Sequence, residues 1–264
     1  MKKIPCPLLV ATASLLLLSF PTLAQTPQHA PDGGTRETIV SIFIPSMANA
    51  PFTATVNTEW IRQLPDGSQI TLKNHRIVAR TADGRVFQQR AFFVPDDGKH
   101  LSTVRQIEIS DPAAHVIYVC RVDERLCRLM QFSARFFAAS PTAGASPTKS
   151  GVLGGATSVE NLGTQTISGL ETIGSRESTV LESGTIGNEA PILERREFWY
   201  SPQLGINLIT KREDPRFSAQ QNFEVTNIAL GEPDASLFQL PAGYKVIDLR
   251  KPAVISSPQA PSEN

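Results

Sequence analysis

Between Thr38 and Phe137 apolar and polar residues alternate in short runs separated by turn-forming residues, the pattern of an antiparallel meander. Phe52 to Gln63 reads as a strand turned by Pro65-Asp66-Gly67. Ile70 and Leu72 then alternate with polar neighbours in a strand running to about Arg80, and Asp83-Gly84 turns the chain into Arg85 to Val94. Asp-Gly between alternating runs is a strong hairpin signal, because glycine takes the positive φ that tight turns need. Asp96-Asp97-Gly98 precedes a strand from Val104 to Ile109, and Asp111-Pro112 ends it. A last hairpin pairs Val116–Cys120 with Leu126–Met130 across the turn Val122-Asp123-Glu124-Arg125. In that register Cys120 faces Cys127, Tyr118 faces Leu129 and Ile117 faces Met130.

From Ala138 to Thr157 the composition shifts to Ala, Ser, Pro, Thr and Gly, which cannot bury enough apolar surface to order itself. A flexible inserted loop, residues 138–157, is expected here rather than an interdomain linker, since neither half carries helices to cover a sheet face alone. Strand patterning resumes at Leu162. Gln165 to Ile173 and Arg176 to Leu181 flank Gly174; Ile192 to Tyr200 is followed by a turn at Ser201–Gly205 and by Ile206 to Arg212. Asp214-Pro215-Arg216 interrupts, and Asn222 to Leu230 is the last long strand. Pro233 to Phe238 reads as one helical turn capped by Asp234, with Tyr244 to Leu249 after it. Any helix is short or lies around Phe132 to Ala139. The expected fold is mainly β: a curved antiparallel sheet, an unclosed barrel or sandwich-like, with few short helices. Residues 38–250 form a single domain between a disordered lead-in, 25–37, and a disordered tail, 251–264.

The amino terminus places that domain in a compartment. Lys2 and Lys3, an apolar run from Leu8 to Phe20, Pro21 and a small-residue exit form the layout of a signal peptide, residues 1–24, cleaved between Ala24 and Gln25. The apolar run is shorter than the roughly 20 residues that span a bilayer. The leader's cysteine, Cys6, precedes the run, so no lipidation site follows it. A soluble periplasmic or secreted protein with no stable membrane anchor is expected. Removing Lys2 and Lys3 leaves 23 basic against 25 acidic groups, which offers no electrostatic case for nucleic acid. Cys120 and Cys127 are the cysteines left, and in an oxidising compartment they read as a disulfide. Two thiols without a His-x-His or second Cys pair make a poor zinc shell, and C-x-x-C redox spacing is missing.

Catalytic signatures are sparse. His29, His75, His100 and His115 have no ionisable neighbour at ligand or dyad spacing, and read as solvated or hydrogen-bonded residues. Gly-x-Ser-x-Gly is absent, and Gly151 to Gly155 lacks the Lys-Ser/Thr ending of a phosphate loop. No catalytic residue, metal or cofactor is expected. The densest polar constellation is Arg176, Glu197, Trp199, Asp214 and Arg216. Strand alternation points Glu197 and Trp199 the same way, and an arginine–carboxylate fork between Arg176 or Arg216 and Glu197 or Asp214 is natural. Such a cluster is either a salt-bridged corner, the reading favoured here, or the polar mouth of a ligand cavity.

Gly163-Thr164-Gln165-Thr166-Ile167-Ser168-Gly169, Glu197-Phe198-Trp199-Tyr200-Ser201, Asp214-Pro215-Arg216 and the closing Leu237-Phe238-Gln239-Leu240-Pro241-Ala242-Gly243-Tyr244 resemble a group of uncharacterised secreted bacterial proteins. More distantly, the closing pattern resembles the outer-membrane lipoprotein carrier superfamily. That resemblance implies an unclosed barrel whose concave face holds acyl chains under helices; amphipathic helices to serve as that lid are not evident. The leading function is non-catalytic binding of an apolar or lipid-like ligand in the cell envelope. A structural or interaction module, with another envelope protein as partner, is the alternative; an unrecognised hydrolase using the Arg/Glu/Asp cluster is the second. An apolar cavity of several hundred Å³ favours the first, a filled core with a flat exposed patch the second, and a cleft holding both Glu197 and Asp214 with displaced pKa values the third.

Overall fold

The computed structural model describes residues 29–30, 32–34, 39–131 and 155–250. Its strands are β1 (Asp32–Gly34), β2 (Ile39–Ile42), β3 (Phe52–Gln63), β4 (Gln69–Arg80), β5 (Val86–Ala91), β6 (Val94–Pro95), β7 (Val104–Asp111), β8 (Val116–Arg121) and β9 (Leu126–Gln131). The second half adds β10 (Ala156–Ile167), β11 (Leu170–Leu181), β12 (Ile192–Ser201), β13 (Ile206–Asp214), β14 (Ala219–Leu230) and β15 (Lys245–Asp248). The leader, the helix expected around Phe132 to Ala139, most of the loop 138–157 and the tail 251–264 lie outside the described residues.

Thirteen strands make one sheet, in the order β10-β11-β12-β13-β14-β3-β4-β5-β7-β8-β9-β15, with β6 beside β4; it is not closed into a barrel. The last long strand of the second half, β14, returns to the first strand of the meander, β3, and pairs with it from Ala219–Arg62 to Leu230–Phe52. Both halves therefore share a ladder. They also share a core, in which Phe52, Val56 and Val78 meet Leu208, Phe223 and Val225. The alternation Phe52, Ala54, Val56, Thr58, Trp60 along β3 puts these residues on that face. Ile42, at the end of β2, and Ile44, just after it, cover it. The opposite face is buried at the other end of the sheet, where Leu237, Phe238 and Leu240 pack on Ala79, Phe87 and Ile109. Crossing that face brings the chain to β15 running parallel to β9, so the otherwise antiparallel sheet ends in one parallel pair.

A buried arginine fastens the covering segment. Arg80, fully buried, donates to the carbonyls of Ala50, Pro45 and Leu204 at 2.9, 3.0 and 2.7 Å and lies over the Phe52 ring. Burial pushes its guanidinium down to about 10.

Three local expectations need correction. Gly174 does not separate two strands. The turn is at Ser168-Gly169, both at positive φ, and Gly174 sits inside β11, where a Cβ would lie 2.7 Å from the Trp199 ring. Ala156 and Thr157, placed in the loop, open β10. Within the expected lead-in, Ala30 is held against the sheet: the Asn207 side chain accepts from the Ala30 N–H and donates to the Ala30 carbonyl, both at 2.9 Å, as a neighbouring strand would.

Candidate functional site

Where β13 ends, Asp214-Pro215-Arg216 forms a 3-10 turn (Pro215–Phe217). Proline supplies the fixed φ of its first residue, and the Asp214 carboxylate caps it by accepting from the Arg216 N–H at 3.1 Å. Ser218, left-handed at φ 47°, closes the turn, and its carbonyl accepts from the Gln63 N–H at 2.9 Å. The turn is thus held beside the end of β3. Arg216 folds back over the sheet, donating to both Asp214 oxygens at 2.9 and 2.6 Å. Arg212, two residues before Asp214 and on the same face, is buried and reaches Asp214 at 3.1 Å and Glu194 of β12 at 3.0 Å. Burial acts to raise the Asp214 carboxyl. The hydrogen bonds and charge of Arg216, with Arg212 behind it, more than offset that and hold it below the usual aspartate range.

Between this network and β3 lies an open cavity of about 460 Å³, lined by Trp60, Leu64 and Phe217 beside Arg62, Arg212 and Arg216. It is on the core side of the sheet, because Asp214, Ala219 and Arg62 are cross-strand neighbours, as are Arg212, Gln221 and Trp60. The Trp60 ring packs edge-on against Phe93, 6.3 Å between centroids. Its indole N–H is buried with no hydrogen-bond partner. A buried donor left unpaired costs stability, and the cavity beside it has room for an acceptor.

The five residues singled out from the sequence divide between the two faces of the sheet. Arg176 of β11 donates to Glu197 of β12 at 2.9 Å and to Glu160 of β10 at 3.0 Å; Trp199 donates its indole N–H to Glu197 at 3.1 Å, and Lys211 stands 3.6 Å away. Burial acts to raise Glu197, and Arg176 and Trp199 outweigh it, so this carboxyl too is held low. Asp214 and Arg216 belong to the opposite face: Lys211 opposes Glu197 in the register, whereas Arg212 and Asp214 follow the other parity. Glu197 and Asp214 therefore share no cleft. The Arg176–Glu197 face is a shallow charged groove with Glu160, Ser178, Arg195 and Glu213.

Trp60, Arg62 and Arg212 are among the cavity residues that the sequence reading missed. For Arg212 the signal was present, two residues from Asp214 on one strand. Trp60 needed the β3–β14 pairing. His29, read as part of a frayed lead-in, instead stacks on Phe198 at 3.9 Å and bonds Glu177 at 2.8 Å. His100 bonds Asp97 at 2.8 Å in an exposed turn, and His75 and His115 are exposed.

No family model and no curated protein matches the chain. Solved structures do, at low identity. An uncharacterized conserved protein from Thermus thermophilus is 11% identical at a TM-score of 0.36, over 75% of this chain and 90% of that one. MucB in the Pseudomonas aeruginosa MucA/MucB complex is 15% identical at a TM-score of 0.34, over 75% of this chain and 58% of that one. A LolA-superfamily protein from Nitrosomonas europaea is 9% identical at a TM-score of 0.30, over 73% of this chain and 91% of that one. The chain spans less than two thirds of MucB. One of these matches is thus a member of the lipoprotein carrier (LolA) superfamily that the closing pattern resembles. The matches carry no residue role to this chain. No helix among the described residues is long and apolar enough to cross a membrane.

Proposed function

We propose that this chain is an exported cell-envelope protein that binds an apolar or lipid-like ligand without catalysing a reaction on it, in the cavity between β3, the end of β13 and the 3-10 turn. The observation that carries this reading is the cavity itself. It has several hundred Å³ of space on the core side of the sheet, apolar walls from Trp60, Leu64 and Phe217, and a buried indole N–H without a partner. The lining is mixed, with Arg62, Arg212, Asp214 and Arg216 facing the apolar side chains, so it suits a ligand with an apolar body and a charged or polar end. Arg62, exposed at the rim, stands where a polar end of the ligand would emerge.

Binding of 1-anilinonaphthalene-8-sulfonate, an apolar anion, tests the site. Ala219 lines the cavity on the same face, and Ala219→Trp fills it from the strand behind. The parent is expected to enhance the fluorescence of the probe, and Ala219→Trp to lose that enhancement while unfolding at the parent midpoint. Equal enhancement by both proteins would contradict the assignment.

A further inference from the structure

An unclosed sheet has two edges, and here they differ. The β15 edge is four residues long and carries Lys245 and Asp248. The β10 edge is twelve residues long, and nine of them are exposed. It pairs with β11 on one side and with no described strand on the other. A long edge offers its outward N–H and C=O groups to any passing strand, and proteins usually blunt it with Lys, Pro, inward charges or β-bulges. Of these, β10 carries one bulge, between Asn161 and Gly163. Strand β10 contains neither Lys nor Pro. Its one charge, Glu160, is paired with Arg176 at 3.0 Å.

The hydrogen-bonding register of this edge matches its own antiparallel copy. The two-residue turn at Ser168-Gly169 makes Ile167–Leu170 the closing bonded pair, and every second residue of β11 from Leu170 then bonds toward β10. Those residues oppose Ile167, Gln165, Gly163, Glu160 and, across the bulge, Ser158. Thr157, Val159, Thr164 and Thr166 are left with their amides directed outward. We propose that β10 pairs with β10 of a second copy of this chain, antiparallel about a two-fold axis between Asn161 and Leu162. That axis sets Val159 against Thr164 and Thr157 against Thr166. Each pair joins two outward-directed residues, and all four are β-branched, the types that stabilise cross-strand pairs. Glu160 meets Gly163 of the copy instead of a second carboxylate, so no like charges face each other. The same patch serves both partners, as a two-fold interface requires.

Sedimentation equilibrium on the full chain purified from an exporting host tests the pairing, alongside Thr164→Pro. This change removes an outward N–H and leaves the bonds to β11 in place, a position where an edge strand tolerates proline. The parent is expected to be a dimer and Thr164→Pro a monomer with the parent's thermal midpoint. Should Thr164→Pro fail to fold, Val159→Lys, which sets a charge on the edge, is read in its place with the same expected loss of dimer. A parent that stays monomeric as concentration rises, including one recovered with a different protein on it, would overturn the proposal. So would a folded edge variant that remains dimeric.

Discussion

Asp214 does two jobs that depend on its charge: it caps the 3-10 turn through the Arg216 N–H, and it accepts from the guanidiniums of Arg212 and Arg216. A carboxyl held below its ordinary value stabilises the fold fully above the unfolded pKa, and that contribution is lost as pH falls through the folded value. The loss for Asp214 thus comes below its ordinary value of 3.8. Comparing acid unfolding of the parent with that of Asp214→Asn isolates it. The variant is expected to be less stable at neutral pH, with the gap closing as the pH drops below about 4. A gap that persists unchanged at pH 2 would mean that the charge of Asp214 contributes nothing. Glu197 is held low as well, by Arg176 and Trp199 on the opposite face, so removing Asp214 leaves that second network untouched.

At the level of elements, the disulfide hairpin is the most self-contained part of the molecule. Cys120 and Cys127 face each other in register, are fully buried, and are bonded. Closing a short loop constrains the unfolded chain, and Cys127→Ser is expected to lower stability by roughly 2–3 kcal/mol in urea unfolding, with unchanged circular dichroism. This hairpin was legible in the sequence because everything that defines it is local: alternation, turn and the two thiols. The same holds for the β3–β4 hairpin, where Gly67 takes the expected positive φ, and for the turn capped by Asp234, whose side chain accepts from the Ser236 N–H. The β10–β11 hairpin was not legible. Its first half is polar and exposed on an edge, so Ala156 to Asn161 shows no alternation, and Gly174 looked like a break although it makes room for Trp199. The candidate cluster was half legible for a related reason. Alternation within one strand correctly aligned Glu197 with Trp199, but the face that Asp214 shares depends on pairing between strands. The docking of His29 is longer in range still, since its partner Glu177 is 148 residues away.

Across the whole molecule, the β14–β3 ladder makes the two halves parts of one sheet with one shared core. Neither half can bury that face without the other. One cooperative unfolding transition is therefore the expected outcome of differential scanning calorimetry on the full chain, whether or not residues 140–150 are replaced by a short Gly-Ser bridge. Two separable transitions would show that the halves fold as units, against the shared core. The sheet stays open at both ends, and its core side carries the cavity beside Trp60, on which the functional reading depends. Native mass spectrometry of the protein recovered from its own envelope, without detergent exchange, tests that reading most directly. The parent is expected to carry an adduct of lipid-like mass, and Ala219→Trp to lack it. A parent that carries no apolar adduct, or an adduct retained in full by the filled variant, would contradict it.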